Sequence, residues 1–185
     1  AAFAFAWGLI LWPGSLFSND LKTFQATYED RLKAITEGHL SKMVLLDIQY
    51  ERGVNGLKPE FQKEGNLDKV KAVLAEMERF KKEQAMPEPG SSSQPEEILN
   101  LQKIYSRQAS IMKVDAARAL ITLSEQYDRA LIQFQKTLVQ SGKLDQAVTV
   151  QEERQRVEQS ENLLAAKKIV AEAETGIAPT PKKKP

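Results

Sequence analysis

The chain contains "GNLDKV" at residues 65–70 and "GKLDQA" at residues 142–147, two nearly identical hexapeptides that lie 77 positions apart. A shift of the whole chain by 77 positions pairs apolar with apolar residues, without a gap, over about sixty residues. Among these pairs are Tyr50 with Tyr127 and Val73 with Val150. The sequence therefore predicts an internal repeat, two copies of one structural unit.

A long apolar stripe runs through each copy. In the second copy the apolar residues recur in steps of 3, 4 and 4 positions: Ile98, Leu101, Tyr105, Ala109, Met112, Ala116, Leu120, Leu123, Tyr127, Leu131, Phe134 and Leu138. This spacing is close to the natural period of the α-helix, so it predicts one nearly straight helix of about 40 residues. A helix with so long a stripe needs partner helices along its length.

The two hexapeptides are predicted to be corners that follow the long helices. Each supplies a glycine, a leucine and an aspartate to its corner: Gly65, Leu67 and Asp68 in the first, Gly142, Leu144 and Asp145 in the second. The glycines suit the left-handed position that ends a helix. We expect the leucines to fold back on the preceding turn and the aspartates to cap the next helix.

The predicted fold is all-α, with two long antiparallel helical hairpins that resemble a coiled coil or a four-helix bundle. Each hairpin is a long helix, a glycine corner and a return helix. The pattern predicts helices over residues 20–63, 68–85, 96–140 and 145–174. Gly53, Gly56 and Pro59 interrupt the first long helix, so we expect a kink near residues 55–59.

The hairpins occupy residues 19–86 and 96–175, separated by a Pro-, Gly- and Ser-rich linker at residues 87–95. Residues 176–185 read "GIAPTPKKKP" and are predicted to be a tether. Residues 1–18 begin with an apolar run, which is typical of a partial signal peptide or a membrane anchor through residues 1–17. A soluble hydrophobic helix is the third alternative. Either of the first two places the rest of the chain outside the cytoplasm, in the periplasm or secreted.

The composition excludes several classes of site. Lys and Arg number 26 and Asp and Glu 25, so no charged field exists to bind nucleic acid. The absence of Cys excludes disulfides, thiolate nucleophiles and Cys-based metal centres. The sequence also contains no Gly-rich phosphate loop, nucleophile elbow or H-E-x-x-H motif. We therefore expect no catalytic residue, no cofactor and no metal.

One stretch of the second copy combines apolar, glycine and charged residues in a fixed order: Tyr127, Leu131, Phe134, Leu138, Gly142, Leu144, Asp145, Ala147, Val150, Glu153 and Arg156. This stretch resembles a recurrent helical segment in exported proteins of planctomycete and verrucomicrobial bacteria. The resemblance covers most of residues 20–157, because the first copy matches too, with departures at Gly53, Pro59 and Met77. The resemblance implies an extracytoplasmic coiled-coil module without catalytic residues.

Three sets of residues are candidates for a specific chemical role. The single His39 lies on the stripe, and without a second His or a Cys beside it we expect a structural or partly exposed histidine rather than a metal ligand. Paired carboxylates such as Glu152–Glu153 are expected to lie on solvated faces. Tyr50 and Tyr127 are expected to be packed rings whose hydroxyls reach the rim.

The leading hypothesis is therefore a non-catalytic exported structural or interaction module, a spacer or assembly coiled coil. It would engage proteins, itself or others, through its helix faces, and would form the amino-terminal part of a longer exported protein. The alternative hypothesis is a bundle that binds a ligand or a peptide in a groove between long helices.

Overall fold

The computed structural model describes residues 20–87 and 94–176, and these residues form helices joined by turns, without any strand. The helices are α1 (Leu21–Lys63), α2 (Leu67–Glu83), α3 (Glu96–Gln140), α4 (Leu144–Glu158) and α5 (Glu161–Glu174). The predicted all-α class is confirmed. The predicted leader (1–18), residues 88–93 of the linker and residues 177–185 of the tether lie outside the described residues.

The long helices α1 and α3 lie antiparallel along their length. The ring of Tyr28, near the start of α1, stacks on Tyr127 in the second half of α3, with centroids 4.4 Å apart. Tyr50, in the second half of α1, meets Tyr105 near the start of α3, with centroids 5.3 Å apart. The two predicted hairpins therefore pack against each other head to tail.

Each return helix completes a lobe at one end of this antiparallel pair. In lobe 1, α2 packs with the second half of α1 and the first half of α3 around Leu46, Tyr50, Val54, Phe61, Val73, Phe80, Ile98 and Tyr105. In lobe 2, α4 packs with the first half of α1 and the second half of α3 around Tyr28, Leu123, Tyr127, Leu131, Phe134, Leu138, Ala147, Val150 and Val157. Both cores contain residues of both hairpins, so neither hairpin has a core of its own.

The two corners share one geometry. Gly65 and Gly142 have φ of 67° and 74°, in the left-handed region, as predicted. The next N–H reaches back to a carbonyl of the last turn, from Asn66 to Phe61 at 3.0 Å and from Lys143 to Leu138 at 2.9 Å. Left-handed glycine followed by this hydrogen bond is the Schellman arrangement that satisfies the free carbonyls at a helix end.

The rest of the predicted corner is wrong. The helices after the corners begin at the leucines themselves, with Asn66 and Lys143 at the cap, so Asp68 and Asp145 lie inside the first turn. The Asn66 side chain accepts the cap hydrogen bond from the Lys69 N–H at 3.1 Å. The leucines do not fold back. They are exposed, Leu67 by 63 % and Leu144 by 61 %, because the Schellman turn points them away from the core.

The second return helix is also interrupted, where the sequence predicted one helix over residues 145–174. Ser160 takes an extended conformation, and both its N–H and its hydroxyl donate to the carbonyl of Val157, at 3.1 and 2.8 Å. Side-chain and backbone hydrogen bonds of this kind compete with helix continuation. The break directs α5 onto α3, where Glu174 approaches Arg118 to 4.0 Å.

Helix α1 continues without interruption across Pro59. A change of its direction near residues 55–59 stays a prediction. Within the described part of the chain, no helix is both long and apolar enough to cross a membrane.

Candidate functional site

A buried carboxylate in α2 is the centre of the polar network of lobe 1. Glu76 is fully buried and accepts two hydrogen bonds from Arg79, at 2.8 and 2.7 Å. The hydroxyl of Tyr50, in α1, donates to the same carboxylate. The amides of Gln94 and Gln102 donate to it at 3.0 and 3.1 Å. Because Gln102 belongs to α3, this one carboxylate joins α1, α2 and α3.

Lobe 2 contains a matching network, in which the tyrosine, glutamate and arginine lie 77 positions after those of lobe 1 and the glutamine lies 77 positions before Gln102. Glu153, in α4, is 5 % exposed and accepts two hydrogen bonds from Arg156, both at 2.7 Å. Tyr127, in α3, donates its hydroxyl to Glu153 at 2.9 Å. Gln25, in α1, supplies a further side-chain hydrogen bond. The lobes thus agree in every element of the network except Gln94. That both halves descend from one duplicated unit stays a prediction.

The protonation states in these networks are fixed far from neutral pH. Burial favours the neutral form of Glu76, but hydrogen bonds from Arg79, Tyr50 and the two glutamines outweigh it and lower its pKa to about 2. The pKa of Glu153 is lowered in the same way, against its burial. Burial and the adjacent carboxylates raise the pKa of Tyr50 and Tyr127 above the usual range. A catalytic acid or base works best with a pKa near the working pH. Groups whose charge does not change near neutral pH are suited instead to holding helices together.

A second pair of tyrosines links the long helices directly. The hydroxyl of Tyr105, in α3, donates to Asp47 of α1 at 2.6 Å. At the matching place in lobe 2, the hydroxyls of Tyr28 and Ser124 share a hydrogen bond of 3.1 Å. The four tyrosines therefore form two ring pairs, Tyr28 stacked on Tyr127 and Tyr50 edge-on to Tyr105, and every hydroxyl has a side-chain hydrogen bond.

An open cleft adjoins lobe 2. It has a volume of about 600 Å³ and lies between α3, α4 and α5, and its walls include Ile121, Leu163 and Lys167. On its wall, Arg154 donates to Asp128 at 2.7 Å. A second cleft, of about 540 Å³, lies where the start of α1 meets α3 and α4. Within residues 20–87 and 94–176, no group of three or more His, Asp or Glu side chains is arranged to hold a metal ion.

The structure does not bring the predicted corner residues together into a site. Gly65 ends α1 and Gly142 follows α3, so the corners lie at opposite ends of the antiparallel pair. His39 is half-buried, and its Nδ1 is buried without a hydrogen-bond partner among the described residues. The register of the tyrosine contacts places His39 near Ala116, midway between the lobes.

Two interpretations of polar residues are wrong. Glu153 was expected on a solvated face and is instead buried beneath Arg156, because its helix presents that position to the core. The hydroxyls of Tyr50 and Tyr127 do not reach the rim but are held inside by Glu76 and Glu153. The glutamate–arginine pairs themselves were missed. One signal could have found them, since a tyrosine, a glutamate 26 residues later and an arginine 3 residues after that recur at the spacing of the repeat.

Neither a protein-family model, nor a curated protein, nor a solved structure matches this chain. The resemblance to exported planctomycete and verrucomicrobial proteins therefore stays a prediction from the sequence.

Proposed function

We propose that this chain is a non-catalytic, exported structural and interaction module, a stiff helical spacer that belongs to a larger protein. The observation that carries the proposal is the buried network in each lobe. Glu76 and Glu153 each connect a return helix to both long helices by charge-assisted hydrogen bonds, the strongest kind available to side chains. Such connections at both ends favour one fixed arrangement of the helices.

The dimensions support a spacer. Helices α1 and α3 contain 43 and 45 residues. In the observed register the two corners are separated by about 50 helical residues, or on the order of 75 Å at 1.5 Å per residue. A stiff module of this length holds whatever adjoins its ends at a set distance.

The test is a distance measurement between the corners. The chain contains no native Cys, so Glu64→Cys and Ser141→Cys, both at exposed corner positions, introduce the only two labelling sites. Pulsed electron–electron double resonance between spin labels there should give a single narrow distance distribution at about 75 Å, the length expected from the helical rise. Each single-cysteine chain serves as the background control. A broad distribution, or one that shifts with solution conditions at neutral pH, would contradict a spacer role.

A bundle that binds a peptide is the second candidate. It is favoured by the exposed apolar side chains on α1, among them Leu40 and Val44, each 57 % exposed. A thermal-shift screen separates the two candidates, since a ligand present at 100 times its dissociation constant adds about 2.7 kcal/mol to the stability of the protein that binds it.

A further inference from the structure

Helix α1 carries an apolar strip that nothing covers among the described residues. The strip consists of Leu40, Val44 and Ile48, which are 57 %, 57 % and 39 % exposed. Their spacing of four residues places them on one side of the helix. The strip lies beside His39, where α1 runs between the two lobes.

The matching face of α3 shows what kind of element fits such a surface. The residues 77 positions after Leu40 and Val44 are Ala117, which is buried, and Ile121, which faces Leu163 across the cleft under α5. Helix α5 crosses this face as a short amphipathic helix whose apolar side consists of Leu163, Ala166, Ile169 and Val170.

The chain near lobe 1 has no room for an equivalent of α5. Helix α2 ends at Glu83 and α3 begins at Glu96, so only 12 residues connect them, and three of these are proline. Helix α5 itself has 14 residues. The strip therefore has the apolar character of a face that a helix covers, but the connection between α2 and α3 is too short to supply that helix.

The charges beside the strip indicate the chemistry of the missing helix. On the α5 face, Asp128 is paired with Arg154 at 2.7 Å. The matching residues beside the strip are Glu51 and Met77, and Glu51 pairs with no cation among the residues that the structure describes. A carboxylate at the edge of an apolar surface favours a partner that brings its own positive charge.

We propose that the α1 strip is a docking surface for a short amphipathic helix of a partner protein, with an aliphatic face toward Leu40, Val44 and Ile48 and a Lys or Arg toward Glu51. The proposal deepens the interaction role proposed above and rests on it. An amphipathic helix that lays its apolar face, with anchors at i, i+3, i+4 and i+7, on an apolar surface of its receptor is an established mode of recognition.

Two other occupants fit less well. The apolar residues 1–19 of the chain contain no Lys or Arg, so they cannot neutralise Glu51. A second copy that docked strip to strip, antiparallel about Val44, would bring Glu51 against Glu37 of the other copy, and like charges oppose such a contact.

The test uses a probe whose sequence already fits the matching face. A peptide with the α5 sequence ENLLAAKKIVAEAE, capped at both ends, fluorescently labelled and stapled on its polar side, is titrated with the full chain and followed by fluorescence anisotropy. The staple is needed because isolated helices of this length are marginal in water. We expect saturable binding below about 1 mM.

Matched variants locate the binding surface. Val44→Glu should weaken binding by about tenfold or more, because it inserts a charge into an apolar contact. Val139→Glu is the control, since Val139 is an equally exposed valine of a long helix, 51 % exposed, away from the strip. It should leave binding within about twofold. Glu51→Lys should weaken binding of the probe, and a probe with Lys167→Glu should recover it.

The remaining outcomes overturn the proposal. If the stapled probe does not bind saturably, or binds the Val44→Glu variant equally well, the strip is not its binding surface. If binding appears only when residues 1–18 are deleted, that segment is the occupant. A dimer of the full chain that dissociates on Val44→Glu in analytical ultracentrifugation would make a second copy the occupant. None of these results alters the corner-to-corner distance, so a failed docking surface and a failed spacer are distinguishable.

Discussion

Lobes 1 and 2 are both held together by a buried tyrosine–glutamate–arginine network, yet the two networks differ in their exposure to solvent. In lobe 1, the side chain of Arg79 is 19 % exposed and Gln94 adds a donor to Glu76. In lobe 2, the side chain of Arg156 is 57 % exposed. A more buried charge pair gains more from its partner and loses more without it. One pattern of residues therefore makes the stability of the two lobes depend to different degrees on a buried carboxylate.

The lobes differ in the opposite sense in their outer layer. Lobe 2 and the middle of α3 are covered by α5, whereas the matching face of α1 leaves Leu40, Val44 and Ile48 exposed. Lobe 1 thus has the more buried network, and the apolar strip on α1 beside it is the surface that stays exposed. A rigid core with one exposed apolar face fits the proposed interaction role.

Removal of the central carboxylate should have the largest effect and should rank the lobes. Glu76→Ala leaves the buried hydroxyl of Tyr50 without its acceptor and opens a cavity where three helices meet. Arg79 loses its buried partner and keeps only Glu83 and the carbonyl of Ala85. We therefore expect a loss of about 3–5 kcal/mol in the free energy of unfolding. Glu153→Ala should cost less, because water can reach Arg156. Urea denaturation followed by circular dichroism measures both. Glu78→Ala, at an exposed position of α2, is the control and should stay within about 0.5 kcal/mol. Equal losses for the two buried glutamates would remove the proposed difference between the lobes.

Acid should weaken the fold through the same groups. The pKa of Glu76 is about 2 in the folded chain and lower than in the unfolded chain, so its stabilisation is present above the unfolded value of about 4.3 and is lost as the pH falls toward 2. This one group accounts for at most about 3 kcal/mol over that window. Denaturation midpoints measured between pH 6 and pH 2 should fall less steeply in Glu76→Gln than in the parent. Parallel curves for the two proteins would show that Glu76 does not titrate with the fold.

The two corners should respond alike, in contrast to the networks. Gly65→Val and Gly142→Val force a β-branched residue into the left-handed region, which should cost about 1–2 kcal/mol at either corner. The space around both positions is open, so the loss would come from the backbone rather than from a clash. Chemical denaturation of the two variants against the parent measures it. If either variant is as stable as the parent, that corner does not depend on a left-handed glycine.

At the corners, part of the structure could be predicted from the sequence and part could not. Helix periodicity and the glycines specified the hairpins, because both depend on local backbone preference. The cap was placed wrongly because Asn66 and Asp68 are both good cap residues, and only the Schellman hydrogen bonds decide where the next helix begins. The break at Ser160 was missed because serine occurs both inside helices and at their ends, and the break appears only in its hydrogen bonds to the carbonyl of Val157.

The buried networks were the least accessible from sequence. A glutamate on a helix rich in Lys and Arg is usually solvated. Glu76 differs from Glu78 in its position, three residues after Val73 and four before Phe80, which places it on the buried face of α2. The match of tyrosine, glutamate and arginine 77 positions apart is the second sequence pattern that points to the network.

The smallest expected effects concern the glycines that only the first long helix contains. Gly56 and Gly53 lie inside α1, where lobe 2 has Gln133 and Ala130. A Cβ at Gly56 meets nothing within 4 Å, so Gly56→Ala should stabilise the fold by about 0.5–1 kcal/mol through lower backbone entropy in the unfolded chain. At Gly53 the same Cβ would lie 3.3 Å from a methyl carbon of Leu101, so Leu101 must yield and the gain should be smaller.

The reverse change in lobe 2, Ala130→Gly, should cost about 0.5–1 kcal/mol and completes the comparison. Thermal and urea denaturation of the three variants are sensitive enough to rank them. If Gly53→Ala proves the more stabilising of the two alanine variants, the approach of α1 to Leu101 is looser than the structure shows. In that case the closer packing of the long helices at lobe 1 would not be the reason for a glycine at that position.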